Sequence, residues 1–389
     1  MTPLDSCIEP IPEQSADAAI PTSWDLRSGG RILGVVASER DRARCRVRLE
    51  RLSESALDCE SIQREAIADL QRVIGFDRWC WPLADSDTLL PLSGVAEHDF
   101  GPGLPRSLEL EYSDDHFASK QVLARRANSA GSLSVETGGD LALSLRWDEV
   151  MRPVGIGDVA AVACRDALGC WGWIEAYRDR ADGQFEAGDL ELLANVGPSL
   201  GSALRRGFMV GNGSEAREPG PPGVIVLNPD LSLLSWTAGA RAWIDALPAA
   251  KLFAAWGMLP AVVYPVATLS RSPDDLSAAH ALERAADGRW VMIEAAPLDG
   301  DADGKIAVTL RGAAPTETFD VFCRGYAFTQ RERDVVAALV AGLDTRAVTE
   351  RLFISRHTVQ DHLKSVFQKV GIHSRRELLA RFSALGDAA

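Results

Sequence analysis

The 389-residue chain predicts a multi-domain α+β protein, with two antiparallel sheets flanked by helices followed by an all-helical C-terminal unit. Three observations predict this. The length exceeds what one ordinary hydrophobic core holds. The middle of the chain alternates short apolar, aromatic-rich runs with turn residues, the pattern of strands and hairpins. From Phe328 onward the chain shows helix caps at short intervals and no strand-like run.

Residues 1–35 mix Pro, Ser, Gly and acids without periodicity and are expected to be a mobile tail. The first sheet unit, residues 36–206, opens with a helix read from Arg42 to Ile74, with Val47, Leu49, Leu52, Leu57, Ile62, Ala66, Leu70 and Val73 toward one side and Gly75 as terminator. Strand-like segments follow at DRWCWPLA and at VAAVACRDALGCWGWIEAYR, where Asp166 to Gly169 predicts a hairpin turn. A second helix is read at FEAGDLELLANVGPSLGSALRR, from Leu190, Leu193, Val196, Leu200 and Leu204 at spacings of three and four. Residues 207–222, rich in Gly and Pro, read as a linker.

The second sheet unit spans 223–312. It begins with two apolar runs around Asn228, Pro229 and Asp230, continues through a helix at AGARAWIDAL, and ends with a hairpin, RWVMIEAAPL to KIAVTLRG. Residues 313–326 are expected to be a second linker, and 327–386 the helical unit. No internal repeat is evident.

Composition limits the function. A hydrophobic share of 46% with 25% charge is globular. No charge-free apolar run is long enough to cross a membrane, and the start MTPLDSCIEPIPEQ is acidic where a signal peptide would be basic then apolar. A cytoplasmic protein without a membrane partner is therefore expected. The seven cysteines (Cys7, Cys45, Cys59, Cys80, Cys164, Cys170, Cys323) are scattered, odd in number and lack a CxxC pair, which argues against a disulfide framework and a metal site. Buried thiols are the plain reading, with a Cys164–Cys170 redox pair as the alternative. GxSxG, P-loop, dinucleotide-binding and HExxH motifs are absent, so no enzyme is expected and no cofactor is named. His280 is a lone candidate haem ligand, discounted as a surface histidine together with His98 and His116.

Charge placement says more than the total of -14. From Arg324 to the end, 11 Lys plus Arg face 7 Asp plus Glu, so this part carries +4 and the preceding 323 residues carry -18. An acidic body with a basic end suits a polyanion reader attached to something that avoids polyanions.

The helical unit is the most legible part. Thr329 with Glu332 forms a capping box, and Gly342 can close that helix. Asp344 or Thr345 caps a second helix, Phe353 and Ile354 make a tight turn, Ser355 caps a third that Gly371 ends, and Ser374 with Glu377 caps a fourth. In the third helix Val359, Leu363, Val366, Phe367 and Val370 form one apolar stripe, while His357, Thr358, Gln360, Asp361, His362, Lys364, Ser365, Gln368 and Lys369 lie opposite. Two short helices around a tight turn, the second polar on its outer face, is the helix-turn-helix plan.

The run FTQRERDVVAALVAGLDTRAVTERLFISRHTVQDHLKSVFQKVGIHSRREL is very similar to the LuxR/NarL type of DNA-binding domain, through T-x-R-E, A-G-L, I-S-x-x-T-V, H-L, K-x-G and S-R-x-E-L. The resemblance implies a four-helix domain that binds double-stranded DNA as a homodimer, with Thr358, Gln360, Asp361, His362 and Lys364 facing the groove and Lys369 near a phosphate. Thr345, Arg346, Ser355, Arg356, His357 and Arg375 complete the candidate interface. Many members have Lys where this chain has Gln360, and Asp361 adds negative charge, so base readout is expected to differ.

Upstream, Leu52 to Arg206 resembles a GAF domain in its order of helix, aromatic strand, paired strands and closing helix, and Gly223 to Gly312 resembles a PAS domain in its GVIVLNPD opening and final hairpin. The first resemblance implies a small-molecule cavity or a dimerising surface. Trp79, Trp81, Trp147, Trp171 and Trp173 are candidate pocket walls, with core filling as the alternative. Trp171 and Trp173, two apart, are expected to point the same way. The reading is a one-component transcriptional regulator that senses an unidentified small molecule or a partner, with RNA polymerase among its possible contacts. Its alternatives are a protein interaction hub with a DNA-incompetent helix-turn-helix, and a haem or redox sensor.

Overall fold

A computed structural model describes residues 38–76, 78–97, 100–113, 117–210, 220–272, 279–299 and 303–383. The expected tail, most of the first linker, Cys7, His98 and His116 lie outside the described residues.

The leading helix, read as one from Arg42 to Ile74, is two. Helix α1 (Glu39–Leu52) starts on a capping box between Ser38 and Asp41, and α2 (Cys59–Ile74) starts on Asp58, whose carboxylate accepts the Ser61 amide at 2.8 Å. Between them the Ser53 and Ser55 hydroxyls donate to the carbonyls of Glu50 and Leu52 at 2.7 and 2.8 Å. Local side-chain bonds of this kind compete with helix continuation, and Asp58 serves better as a cap than as an interior residue. Gly75 closes α2 at φ +74°. Val47, read on the apolar side, is exposed.

Strands β1 (Arg78–Ala84), β2 (Pro91–Glu97), β3 (Ala130–Ser132), β4 (Ile156–Asp166) and β5 (Gly169–Asp179) form an antiparallel sheet in the order β2-β1-β5-β4-β3. The β4–β5 hairpin closes at the Asp166–Gly169 pair, where the turn residues placed it. Helices α3 (Leu104–Ser113), α4 (Lys120–Arg125) and α5 (Leu133–Glu136) are inserted between β2 and β4. Helix α6 (Ala187–Met209) crosses one face of the sheet beside α1 and α2, burying Leu193, Val196, Leu200 and Leu204 against Ala160, Val162 and Cys164. Its approach is close: a Cβ on Gly201 would lie 2.6 Å from the Arg165 backbone, so a larger residue would push helix from sheet. This helix continues through 207–209, the first positions of the expected linker.

The second sheet repeats the plan. Strands β6 (Gly223–Leu227), β7 (Leu233–Trp236), β8 (His280–Arg284), β9 (Trp290–Pro297) and β10 (Ile306–Gly312) run in the order β7-β6-β10-β9-β8, with α7 (Ala238–Ala246), α8 (Ala250–Ala255) and α9 (Val263–Leu269) between β7 and β8. Numbered within its own unit, each sheet has the strand order 2-1-5-4-3. The two sheets meet near β2 and β8, where side chains replace backbone pairing: Asp85 accepts the Leu282 amide at 2.7 Å and Glu283 accepts the Ser93 amide at 2.7 Å.

The expected linker at 313–326 is instead a helix, α10 (Pro315–Gly325). Pro315 occupies the first turn, where its missing N–H costs nothing, and Glu317 accepts the Ala314 amide at 2.7 Å. Phe322 is fully buried, with ring centroids 5.8 Å from Phe328 and 5.6 Å from Phe382. The apolar residues of this segment become helical because both neighbours offer surface to bury them, which turn chemistry alone did not reveal. Helices α11 (Gln330–Val340), α12 (Thr345–Leu352), α13 (Arg356–Val370) and α14 (Arg375–Ser383) form the C-terminal unit. Among the described residues no helix is long and apolar enough to cross a membrane.

Candidate nucleic-acid interface

Each C-terminal helix begins where its cap was read. Thr329 and Glu332 exchange bonds at the start of α11, Asp344 rather than Thr345 accepts the Ala347 amide at 2.8 Å for α12, and Ser355 accepts the Thr358 amide at 3.1 Å for α13. Ser374 and Glu377 bond reciprocally at the start of α14. Phe353 sits in the turn between α12 and α13 in the left-handed region at φ 54°, its ring 94% exposed. That conformation suits Gly far better than a bulky residue.

On α13, Val359, Leu363, Val366 and Val370 are buried, fixing the rotation of the helix. The opposite side is open to solvent: Arg356, His357, Gln360, Asp361, Lys364 and Gln368 are exposed, with Thr358 and His362 half-buried at its margins. Lys364, Gln360 and Arg356 make no side-chain bond or ion pair among the described residues. Asp361 lies 3.6 Å from His357, one turn away. At 15 residues the helix is about 22 Å long, a size that enters a major groove.

Several interface candidates are engaged elsewhere. Lys369, expected near a phosphate, donates to Glu332 at 2.6 Å and to the Ala327 carbonyl at 2.9 Å. Ser365, expected on the outer face, donates to Glu332 at 2.6 Å. Burial raises the Glu332 carboxyl, but its bonds from Lys369 and Ser365 outweigh that and hold it below its ordinary value. Glu332 is thus both the capping partner of Thr329 and the anchor tying α11 to α13, and its buried charge attracts the nearest cation. Arg375 donates to the Leu343 carbonyl at 2.7 Å and holds α14 to the loop before α12. Arg346 pairs with Glu350 at 3.0 Å on the exposed side of α12, beside the half-buried Thr345. Ser355 and Thr358 share a hydroxyl contact of 2.9 Å within the cap.

The five tryptophans named as pocket walls are packed in the protein. Trp79, Trp81, Trp147, Trp171 and Trp173 are all buried, and four bond to the chain itself: Trp79 to Glu97, Trp147 to the Ile156 carbonyl, Trp171 to Asp166 and Trp173 to the Lys120 carbonyl. Trp171 and Trp173 do not share a face. Cys164 pairs with Gly172 and Arg165 with Cys170, so Trp171 is the extra residue of a β-bulge; it joins the core under α6, whereas Trp173 packs against Leu123 and Ala163 on the other side.

That other side holds what sequence reading missed. Lys120, 2% exposed, donates to Glu111 at 2.7 Å and to Glu175 at 2.8 Å, and Arg146 donates to Glu175 at 2.9 Å. Two buried anions are matched by two buried cations. Burial raises the Glu175 carboxyl, yet the charges of Arg146 and Lys120 outweigh it and hold the group well below the usual carboxylate range. The available signal was Glu175 itself, a charge inside the otherwise apolar WGWIEAY run. Cys164 and Cys170 are buried free thiols; burial raises both, Cys170 to about 12, which keeps them protonated and unreactive.

A cleft of about 340 Å³ between the sheets and α10 is lined by Asp85, Asp87, Glu294, Glu317 and Asp320, facing Arg324 and His280. His280 lies 3.8 Å from Asp87. Among the described residues no group of three or more His, Cys, Asp or Glu is placed to hold a metal ion.

Comparison with known proteins places the C-terminal unit. Residues 326–382 match the family model of bacterial regulatory proteins, luxR family. The spore germination protein GerE of Bacillus subtilis is 34% identical over 59 residues, 15% of this chain and 80% of GerE. The nitrate/nitrite response regulator protein NarL of Escherichia coli K12 is 34% identical over 106 residues, 27% of this chain and 43% of NarL. A Mycobacterium tuberculosis protein named as an HTH-type transcriptional regulator is 44% identical over 65 residues, 16% of this chain but only 7% of that relative's length. Through its capped four-helix unit, the chain belongs to the luxR family of bacterial regulatory proteins.

Proposed function

We propose that this chain is a sequence-specific DNA-binding transcriptional regulator in which α13 reads the major groove. The observation that carries the reading is the division of α13 into a buried apolar stripe and an exposed polar side, which leaves Gln360 and Lys364 free for a partner. Family membership and the +4 charge of this end support it. The reader works as a homodimer, because two linked half-site contacts gain avidity that one lacks. The first sheet unit is read as GAF-like and the second as PAS-like. They form the acidic sensor body of a cytoplasmic one-component regulator, whose effector shifts the balance between reader arrangements and whose operator-bound form meets RNA polymerase.

A gel-shift titration across salt concentrations tests the reading. Wild-type affinity for a selected site should fall steeply with salt, and Lys364→Ala should weaken binding about tenfold and reduce the logarithmic salt slope by about one if Lys364 meets a phosphate. Salt-independent binding, or unchanged affinity in the variant, would refute the placement of α13 in the groove.

A further inference from the structure

A second cleft, of about 500 Å³, opens between the sensor body and the C-terminal unit. The body contributes Ser55 and Ala56 from the α1–α2 connection and Arg205, Arg206, Met209 and Val210 from the end of α6; α10 and its end contribute Gly325 and Tyr326, and the reader contributes Lys369 and Val370 from α13 and Arg381 from α14. Its charged lining is one-signed: Arg205, Arg206, Lys369 and Arg381, with no Asp or Glu. In a chain of net charge -14 such a wall is unexpected by chance, and the cleft between the sheets, lined largely by acids, is its opposite.

Two of these cations are already neutralised from behind. Arg205 donates to Asp166 at 2.7 Å and to the Gly325 carbonyl at 3.0 Å, and Lys369 is held by Glu332. These bonds fix the two groups in place without discharging the whole wall. Arg206 is different: it is exposed and makes no ion pair or hydrogen bond among the described residues. Partial burial first, and then the neighbouring Arg205 charge, hold its pKa below the ordinary guanidinium value, while Glu54 and Asp166 pull the other way. Met209, Val210, Tyr326 and Val370 add apolar surface beside the cations. Guanidinium groups favour phosphate oxygens because their planar N–H pairs match them, and partial desolvation strengthens such bonds.

We propose that this cleft binds a small organic phosphate, its anionic group on Arg206 and the surrounding cations and its apolar body along Met209 and Tyr326. Because the lining comes from α6 on one side and from α13 and α14 on the other, such a ligand binds well only while body and reader are docked, and it therefore favours that arrangement. Binding is independent of the DNA-reading proposal; only the effect on operator affinity rests on it.

Phenyl phosphate is a suitable probe for calorimetry on the full chain at low salt, with phenol and benzoate as comparisons. A ligand of this size is expected to bind with a Kd of about 1 mM. Arg206→Glu and the milder Arg206→Ala should weaken it at least about tenfold, whereas Arg356→Glu, on the exposed side of α13, should leave it unchanged while weakening DNA binding. Absence of phenyl phosphate binding by wild type, or wild-type affinity in both Arg206 variants, overturns the site. Benzoate as tight as phenyl phosphate overturns the phosphate assignment. Saturating phenyl phosphate should shift the operator Kd at least about threefold in wild type and not in the Arg206 variants; an unmoved wild-type Kd overturns the coupling. Absence of DNA binding by the wild-type chain, with phenyl phosphate still bound, would instead count against the reader.

Discussion

Lys120 and Lys364 are the same residue type in opposite circumstances. Lys120 is 2% exposed between Glu111 and Glu175 in the first sheet unit, whereas Lys364 projects from α13 with no ion pair among the described residues. In the first, the buried cluster of Lys120, Arg146, Glu111 and Glu175, each charge has an opposite partner within 3.6 Å, because a dry interior offers a protein charge in place of water. In the second, solvent satisfies each group cheaply, so the side chain remains available to a phosphate or a base edge. Within one chain, then, a charged residue signals structure when its partners are complete and function when they are missing. Lys369 marks the border: read from the sequence on the polar side of α13, it is held by Glu332 at 2.6 Å.

Four substitutions should separate the two regimes. The largest effect is expected for Lys120→Met, which leaves the buried pair Glu111 and Glu175 facing Arg146 without the second cation that balances them; about 3–5 kcal/mol of stability should be lost in chemical denaturation. A loss below about 1 kcal/mol would mean that the network is solvated. Next is Glu283→Gln. Burial pushes the Glu283 carboxyl up to about 7 from 4.5, with Asp85 adding to the rise. A group raised in the folded state stabilises fully below its unfolded pKa, and that stability is lost as pH climbs to about 7. Wild type should therefore lose up to about 3 kcal/mol between about pH 4.5 and 7 through this group alone, and the Gln variant, which still offers an acceptor to Ser93, should show a flatter profile. Parallel profiles would contradict the assignment.

On the exposed side the expected changes are smaller and of another kind. Gln360→Lys should leave stability within about 0.5 kcal/mol yet change the bases preferred in site selection, with a discrimination of about 1–3 kcal/mol at one position; identical selected sites would show that Gln360 does not read bases. Smallest is Phe353→Gly. Relieving the left-handed strain should stabilise the chain by about 0.5–1 kcal/mol, and a destabilisation would show that the ring, although 94% exposed, has a partner.

Legibility followed the range of the interactions. Helices α11 to α14 were readable from the chain because their determinants lie within four residues of one another: Thr329 with Glu332, Ser355 with Thr358, Gly371 ending an apolar stripe. The hairpins at Asp166 and Asn228 were legible for the same reason. The exposed side of α13 followed from periodicity once its caps were known. By contrast, the bulge that turns Trp171 away from Trp173 depends on how β4 registers against β5, and no local pattern encodes it.

By itself, the sequence determined where helices begin and end in the reader, which side of α13 is apolar, and that the basic end is distinct from an acidic body, since hydrogen bonds, periodicity and charge over a few residues suffice for each. Tertiary structure alone decided that residues 315–325 fold as a helix, that Lys369 serves Glu332, that Glu175 finds Lys120 and Arg146, and that four cations from α6, α13 and α14 line one cleft. These outcomes depend on groups 29 to 176 positions apart meeting in a dry or narrow space, where burial sets the energy of a charge and chain proximity says nothing about it.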